Sequence, residues 1–136
     1  MLIPTTAQKI LDAQKIELKL DRMAFQALEL TYGSAGLVII GIEPGGGIDL
    51  AKILANKIVA YDTSKHVEFT SIEINKQTPL ANAPYLKDTI DLNNKTILLV
   101  DDVGNSGRTL FYALQPLAKF TPDKINNRFK KCTFYH

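Results

Sequence analysis

Two apolar runs, each followed by a turn rich in glycine and then by a helical pattern, constrain the fold of this 136-residue chain most strongly. The first run is Leu37–Ile42 and the second is Thr96–Val100. Continuous apolar runs of this length are typical of strands buried on both faces of a parallel sheet. Strands that alternate with helices therefore predict an α/β domain, with a parallel sheet flanked by helices.

The spacing of apolar residues also predicts helices around these strands. The first helix is expected to begin at Asp12, whose carboxylate can cap it, and to stop at the turn 33–36. Its buried stripe is Ile16, Leu20, Met23, Ala24, Ala27 and Leu28. The stripe of the second helix is Ile48, Ala51, Leu54, Ala55 and Ile58. A further strand is expected over 67–74, a long loop over 75–94 and a third helix over about 108–120.

Composition bounds the class of protein and its partners. Hydrophobic residues make up 46 % of the chain and charged residues 22 %, as in an ordinary globular domain. The net charge of +2 does not favour RNA, which stays an alternative partner. The single cysteine, Cys132, cannot form an internal disulfide. The chain shows neither a signal sequence nor an apolar stretch long enough to cross a membrane, so a cytoplasmic location is expected.

The segment after the second apolar run carries the residues with the most specific chemistry. They are Asp101, Asp102, Val103, Gly104, Asn105, Ser106, Gly107, Arg108 and Thr109. The two glycines allow a tight turn, and the start of the next helix offers free N–H groups to a phosphate. The two carboxylates repel phosphate but can accept hydrogen bonds from sugar hydroxyls or help to hold Mg²⁺. The pattern indicates a site for a phosphorylated ribose.

This segment, taken from Val100 to Thr109, resembles the phosphoribosyl pyrophosphate (PRPP) signature of type I phosphoribosyltransferases. These enzymes join ribose 5-phosphate to a nitrogen base and release pyrophosphate. The start of the chain, at 10–16, resembles the PyrR-like branch of pyrimidine operon regulators, which are also uracil phosphoribosyltransferases. Residues 37–51 resemble the family's first strand, pyrophosphate loop and following helix. The resemblance covers about 10–125, implies a phosphoribosyltransferase-like domain over 1–125, and makes a homodimer the expected assembly.

The resemblance also implies roles for individual residues. Asp101 and Asp102 would hold the ribose hydroxyls and Mg²⁺, and the residues that follow, up to Thr109, would cradle the 5′-phosphate. The pyrophosphate loop would be formed by Glu43, Pro44, Gly45 and Gly46 through backbone N–H groups. Residues 72–77 would begin a catalytic hood that closes over PRPP. Within the hood, Lys76 would supply a catalytic positive charge.

The chain departs from the family pattern in four places. The pyrophosphate loop has no basic residue, and Lys76 stands where relatives have an arginine. Asn105 replaces the aspartate of purine-type relatives, which favours a non-purine base or a protein without catalysis. The basic tail, 126–136, does not match the strand and base-recognition segment that relatives have there. We therefore expect an incomplete C-terminal part, as in a truncated or frame-shifted product.

Three functions remain open from the sequence. The first is a Mg²⁺-dependent phosphoribosyltransferase that transfers the phosphoribosyl group of PRPP to a nucleobase in nucleotide salvage. The second is a PyrR-type regulatory protein that binds PRPP or nucleotides without strong catalysis. The third is an inactive truncated product. Outside the site, Phe25, Tyr32, Tyr61 and Phe111 are expected to pack in or near the core, and His66 is expected at the surface.

Overall fold

A computed structural model of the chain describes residues 5–32, 34–43, 45–75, 83–101, 107–122 and 124–126. The helices are α1 (Thr5–Leu30), α2 (Gly47–Tyr61) and α3 (Gly107–Leu114), and a short 3₁₀ turn, Gln115–Leu117, follows α3. The strands are β1 (Leu37–Glu43), β2 (Val67–Glu73), β3 (Tyr85–Leu86), β4 (Thr96–Val100) and β5 (Lys124–Asn126).

The described strands form one sheet in the order β3-β2-β1-β4-β5. β1 lies at the centre and pairs in parallel with both β2 and β4, and β5 extends the parallel part beyond β4. Among the strands that the structure describes, β3 alone is antiparallel, and it pairs with the last residues of β2. This α/β architecture, with helices against a mainly parallel sheet, confirms the fold class that the sequence predicts.

The core lies on both faces of the sheet, which explains why β1 and β4 are almost wholly apolar. α1 and α2 cover one face, where the buried side chains include Leu20, Met23, Leu37, Ile39, Leu54, Ile58, Leu98 and Val100. α3 and the segment before β4 cover the other, where they include Val38, Ile40, Ile42, Ile72, Leu92, Ile97, Leu99, Ala113 and Leu117. Each fully buried Leu or Ile stabilises the fold by about 1.5–3 kcal/mol relative to an exposed one.

A polar and aromatic network joins α1 to α2 at the protein surface. Lys57 of α2 forms ion pairs with Glu17 and Asp21 of α1, the second with a 2.9 Å separation between Nζ and Oδ1. The hydroxyl of Tyr61 donates to Asp21 over 2.7 Å, and the Tyr61 ring stacks on Phe25 with centroids 4.4 Å apart. The hydrogen bonds from Tyr61 and Lys57 lower the pKa of Asp21.

Several local predictions are wrong. α1 begins at Thr5, well before Asp12, because the residues upstream continue the helix. Phe25, Tyr61 and Phe111 are exposed to solvent, and Tyr32 is 86 % exposed, so these aromatic rings do not pack in the core. The predicted loop over 75–94 contains β3. β5 continues to Asn126, one residue past the predicted domain boundary, and the division at 125 remains a prediction.

The surface network predicts how stability depends on pH. Because the folded-state pKa of Asp21 lies below 3.8, its stabilising effect is present above that value and is lost as the pH falls through the lowered pKa. Asp21→Asn should therefore lower the free energy of unfolding near neutral pH and flatten its decline between about pH 5 and pH 2. Urea unfolding of both proteins across this pH range measures the effect.

The matched control for this experiment is Asp91→Asn, at an exposed carboxylate far from the α1–α2 contact. Its pH profile should follow that of the unmodified chain. If the free energy of unfolding falls equally with pH in the Asp21→Asn variant and in the unmodified chain, the network does not stabilise the folded state.

Candidate functional site

The candidate site is defined by the pairing of β1 with β4. Gly41 of β1 lies opposite Val100 of β4, close to the carboxyl end of each strand. Adjacent strands are separated by about 4.8 Å, so the turn after β1 and the segment after β4 leave the sheet side by side. Ligands of parallel α/β sheets bind beyond the carboxyl ends of the strands. The structure thus places the carboxyl ends of β1 and β4, from which the glycine-rich turn and the segment after β4 start, next to each other.

The segment after β4 begins with a buried acid. Asp101 is 2 % exposed and directly follows the last residue of β4. Residues 102–106, which include the predicted ligands Asp102, Val103, Gly104, Asn105 and Ser106, lie outside the described residues. The chain enters α3 at Gly107, so Arg108 and Thr109 belong to the first turn of that helix. A buried carboxylate and the amino end of a helix therefore flank this segment.

The turn after β1 is held by the conformation of Gly45 and by hydrogen bonds to Glu43. Gly45 has a φ of 137°, a conformation that favours glycine, and Gly46 is the residue before α2. Glu43 Oε1 accepts a hydrogen bond from the Ile48 N–H over 2.9 Å, in the manner of a helix-capping side chain. The Glu43 carbonyl accepts another from Ile74 N–H over 2.8 Å. Pro44, a predicted member of this turn, lies outside the described residues.

Two glycines allow α2 to start directly against β1. A Cβ atom added to Gly41 would lie 2.3 Å from the carbonyl carbon and oxygen of Gly47. A Cβ atom on Gly47 would lie 2.4 Å from the Ile42 carbonyl oxygen. Both separations are too short for real Cβ contacts, so side chains at these positions would force the helix away from the strand. The contact fixes where the first amide groups of α2 stand relative to the end of β1.

The base of the predicted hood is formed by β2 and β3. Glu73 lies opposite Tyr85, and the negative charge of Glu73, together with a hydrogen bond between the two side chains, raises the pKa of Tyr85. The chain leaves the described part after Asn75 and returns at residue 83. Lys76, predicted to supply the catalytic charge, lies outside the described residues. Both ends of the hood segment therefore lie at the carboxyl ends of the parallel strands, as the end of β1 does.

Sequence reasoning missed two features of this site. The apolar pattern predicts Gly41 only as part of a strand, although a glycine inside a strand pattern can signal the close approach of another backbone. The resemblance gives Glu43 a role only through the backbone of its turn, and the structure adds a hydrogen bond from its side chain to the start of α2. Its position immediately before a glycine-rich turn and a helix was the available signal, since carboxylates favour helix amino ends.

A separate groove of about 910 Å³ lies on the α3 side of the sheet. It runs between residues 84–93 and 115–120 and is bordered by the acidic side chains of Asp88 and Asp91. The residues that line it lie outside the two turns, although Tyr85 and Leu86 belong to β3 at the base of the predicted hood. The groove is therefore distinct from the two turns.

The described residues lack two further kinds of feature. They contain no helix with the length and apolar character needed to span a bilayer. They also contain no group of three or more His, Cys, Asp and Glu side chains arranged to hold a metal ion.

Comparison with known proteins gives consistent matches. The family described as "Phosphoribosyl transferase domain" matches residues 6–132. "Bifunctional protein PyrR" of Gloeothece citriformis (strain PCC 7424) is 34 % identical over 127 residues, covering 87 % of this chain and 69 % of the relative. "Bifunctional protein PyrR" of Elusimicrobium minutum (strain Pei191) is 36 % identical over 124 residues, covering 85 % and 68 %.

Solved structures share the fold at lower identity. A hypoxanthine phosphoribosyltransferase from Staphylococcus aureus has a TM-score of 0.60 at 18 % identity, over 84 % of this chain. A purine phosphoribosyltransferase from Pyrococcus horikoshii Ot3 has a TM-score of 0.58 at 22 % identity, also over 84 %. The chain spans 59 % of the first of these proteins and 69 % of the second. These likenesses concern the fold.

The glycine contact between β1 and α2 yields a direct test. Gly41→Ala should lower the free energy of unfolding by about 1–3 kcal/mol, because the added methyl group meets backbone that must shift. Urea denaturation measures the loss. Asn56→Ala, on the exposed side of α2, is the control and should change stability by less than about 0.5 kcal/mol. If the Gly41→Ala variant is as stable as this control, the close packing is not what holds the turn.

Proposed function

Because the chain belongs to the phosphoribosyl transferase domain family, we propose that it transfers the 5-phosphoribosyl group of PRPP to a nitrogen base and releases pyrophosphate. The observation that carries the proposal is the pairing of β1 with β4, which sets the glycine-rich turn beside buried Asp101. PRPP, with a 5′-phosphate on one side of the ribose and a pyrophosphate on the other, has the chemistry to contact both segments.

Each part of PRPP would meet groups of suitable charge. The first-turn amides of α3, which starts at Gly107, would hold the 5′-phosphate with the favourable end of the helix dipole. Asp101 and Asp102 would accept hydrogen bonds from the ribose hydroxyls. Backbone N–H groups of 45–47 would bind the pyrophosphate, and Lys76 would add a positive charge from the hood. Positioning and charge stabilisation would supply the rate enhancement.

The residues of the site fit Mg²⁺, the ion that the family resemblance implies. Asp101 places a buried carboxylate at the end of β4, and carboxylate oxygen is the ligand type that Mg²⁺ prefers. Asp101 and Asp102 would hold the ion, usually together with water and substrate phosphate oxygens. When bound, Mg²⁺ would offset the negative charge of the leaving pyrophosphate. The protein groups would then orient the ribose and exclude water.

A second function is favoured by the charge of the pyrophosphate turn. Residues 43–51 contain two acids, Glu43 and Asp49, and no Lys or Arg. A turn with this charge would stabilise the leaving pyrophosphate poorly. This favours a regulatory protein of the PyrR type, which would bind PRPP or a nucleotide through the ribose-phosphate site without fast turnover. The two functions share the ribose-phosphate site and differ in whether pyrophosphate is released at a useful rate.

Turnover separates the two functions. Purified protein is incubated with PRPP, Mg²⁺ and one base at a time, beginning with uracil, and nucleotide formation is followed by chromatography. The proposed transferase forms nucleotide with at least one base. Binding of PRPP in calorimetry without nucleotide from any base would assign the regulatory function. No binding of PRPP or of nucleoside monophosphates would overturn both.

The role of Asp101 is tested by Asp101→Asn. Loss of hydrogen bonds between sugar hydroxyls and a charged acceptor should weaken PRPP binding by about ten- to hundredfold. Asp91→Asn, in the segment that precedes β4, is the isosteric control and should bind like the unmodified chain. Thermal unfolding identifies any loss that reflects misfolding. Unchanged affinity in a folded Asp101→Asn variant would remove this residue from the site.

A further inference from the structure

We infer that the side chain of Glu43 is an internal anion that occupies the start of α2 and lowers the affinity of the turn for pyrophosphate. This inference rests on the proposed function, in which the same turn binds the pyrophosphate of PRPP. It adds a residue that sets how strongly that group is held.

One amide group at the start of α2 is already hydrogen-bonded to a side chain of the protein. Gly46, the residue before α2, has no side chain with which to cap the helix. Glu43 takes that part by accepting the Ile48 N–H over 2.9 Å. Amide groups in the first turn of a helix are the donors that an anion uses at such a site. One of these donors is therefore already used by a carboxylate of the chain itself.

The structure around β1 fixes the position of Glu43. The Glu43 main chain is fixed as the last residue of β1, since its carbonyl accepts the Ile74 N–H and Gly41 lies in contact with Gly47. The side chain then spans the turn from strand to helix. A bound anion at the start of α2 would meet this negative charge at short range. The carboxylate can move aside only by giving up its hydrogen bond to Ile48.

The negative charges of the protein at the start of α2 outweigh the positive end of the helix dipole. The amino end of a helix carries roughly half a positive elementary charge. The carboxylate of Glu43 brings a full negative charge, so the start of α2 is more than neutralised before a ligand arrives. Asp49 adds a second acid in the first turn of the helix. Pyrophosphate therefore binds here against repulsion, which weakens its retention as a product and its recognition as part of PRPP.

The test measures pyrophosphate affinity by calorimetry in the full chain and in two variants. Glu43→Gln keeps an oxygen acceptor of the same reach and removes the charge, and pyrophosphate should bind about five- to twentyfold more tightly. Glu43→Ala removes charge and acceptor together, which frees the Ile48 N–H, and should show a gain at least as large. Both gains should shrink as the salt concentration rises.

Asp49→Asn is the matched control. It removes one carboxylate charge from the first turn of α2 but leaves the Glu43–Ile48 hydrogen bond in place. Its gain should be smaller than that of Glu43→Gln by about threefold or more. Equal gains in the two variants would show a general charge effect and overturn the specific role of Glu43. Unchanged or weaker pyrophosphate binding in both Glu43 variants would overturn it as well, as would no pyrophosphate binding by any of the proteins.

The same preparations are assayed with PRPP and bases to separate this inference from the proposed function. Nucleotide synthesis with unchanged pyrophosphate affinity in the Glu43 variants would overturn the inference alone. Tighter pyrophosphate binding by the variants of a chain that forms no nucleotide would support the inference and overturn the transferase.

Discussion

The parallel register between β1 and β4 is the constraint on which the rest of the structure depends. Both strands are buried on their two faces, so their side chains must be apolar along almost their full length. Polar groups can appear only where the strands end, and the register places Val100, the last residue of β4, opposite Gly41, two residues before the end of β1. Asp101 and the glycine-rich turn are neighbours for this reason. The polar groups after β1 and β4 thus lie where the buried apolar part of these strands ends.

The turn after β1 combines two requirements that oppose one another. The helix must start close to the strand, which Gly41 and Gly47 allow because neither places a Cβ atom in the contact. The first amides of that helix must also find hydrogen-bond acceptors. Gly46, the residue before the helix, has no side chain that could accept such a bond. Among the described residues, the side chain of Glu43 is the one seen to accept a bond from these amides. A stable turn is thus obtained with an acid at the place where an anionic ligand would bind.

The sequence predicted those parts of the fold that depend on local patterns. β1, β4 and the buried stripes of α1 and α2 follow from the spacing of apolar residues. The structure confirms them except in the first turn of α2, where Leu50 is buried and Ile48 is half-buried. The start of α1 was wrong because Asp12 is a good capping residue that lies inside a longer helix-forming stretch. β3 was missed because a strand of two residues leaves no periodic pattern.

The remaining features depend on contacts between distant parts of the chain. Phe25 and Tyr61 are aromatic, and their apolar character suggested the core, but they stack on each other across two helices at the surface. The need for glycine at position 41 arises only once α2 has folded back onto β1. The direction of the Glu43 side chain is likewise set by the helix that it caps. The roles of the predicted site residues, at 43–46, at Lys76 and at 101–109, remain predictions from the sequence.

The central claim is that one phosphorylated ribose is shared between the carboxylates after β4 and the amide groups at the start of α3. A crystal structure of the chain grown with PRPP and Mg²⁺ tests this claim most directly. The account predicts ribose hydroxyls on Asp101 or Asp102, the 5′-phosphate over 105–109, and the pyrophosphate towards 43–47. A structure with PRPP bound elsewhere, or with this edge of the sheet empty at saturating ligand, would contradict it.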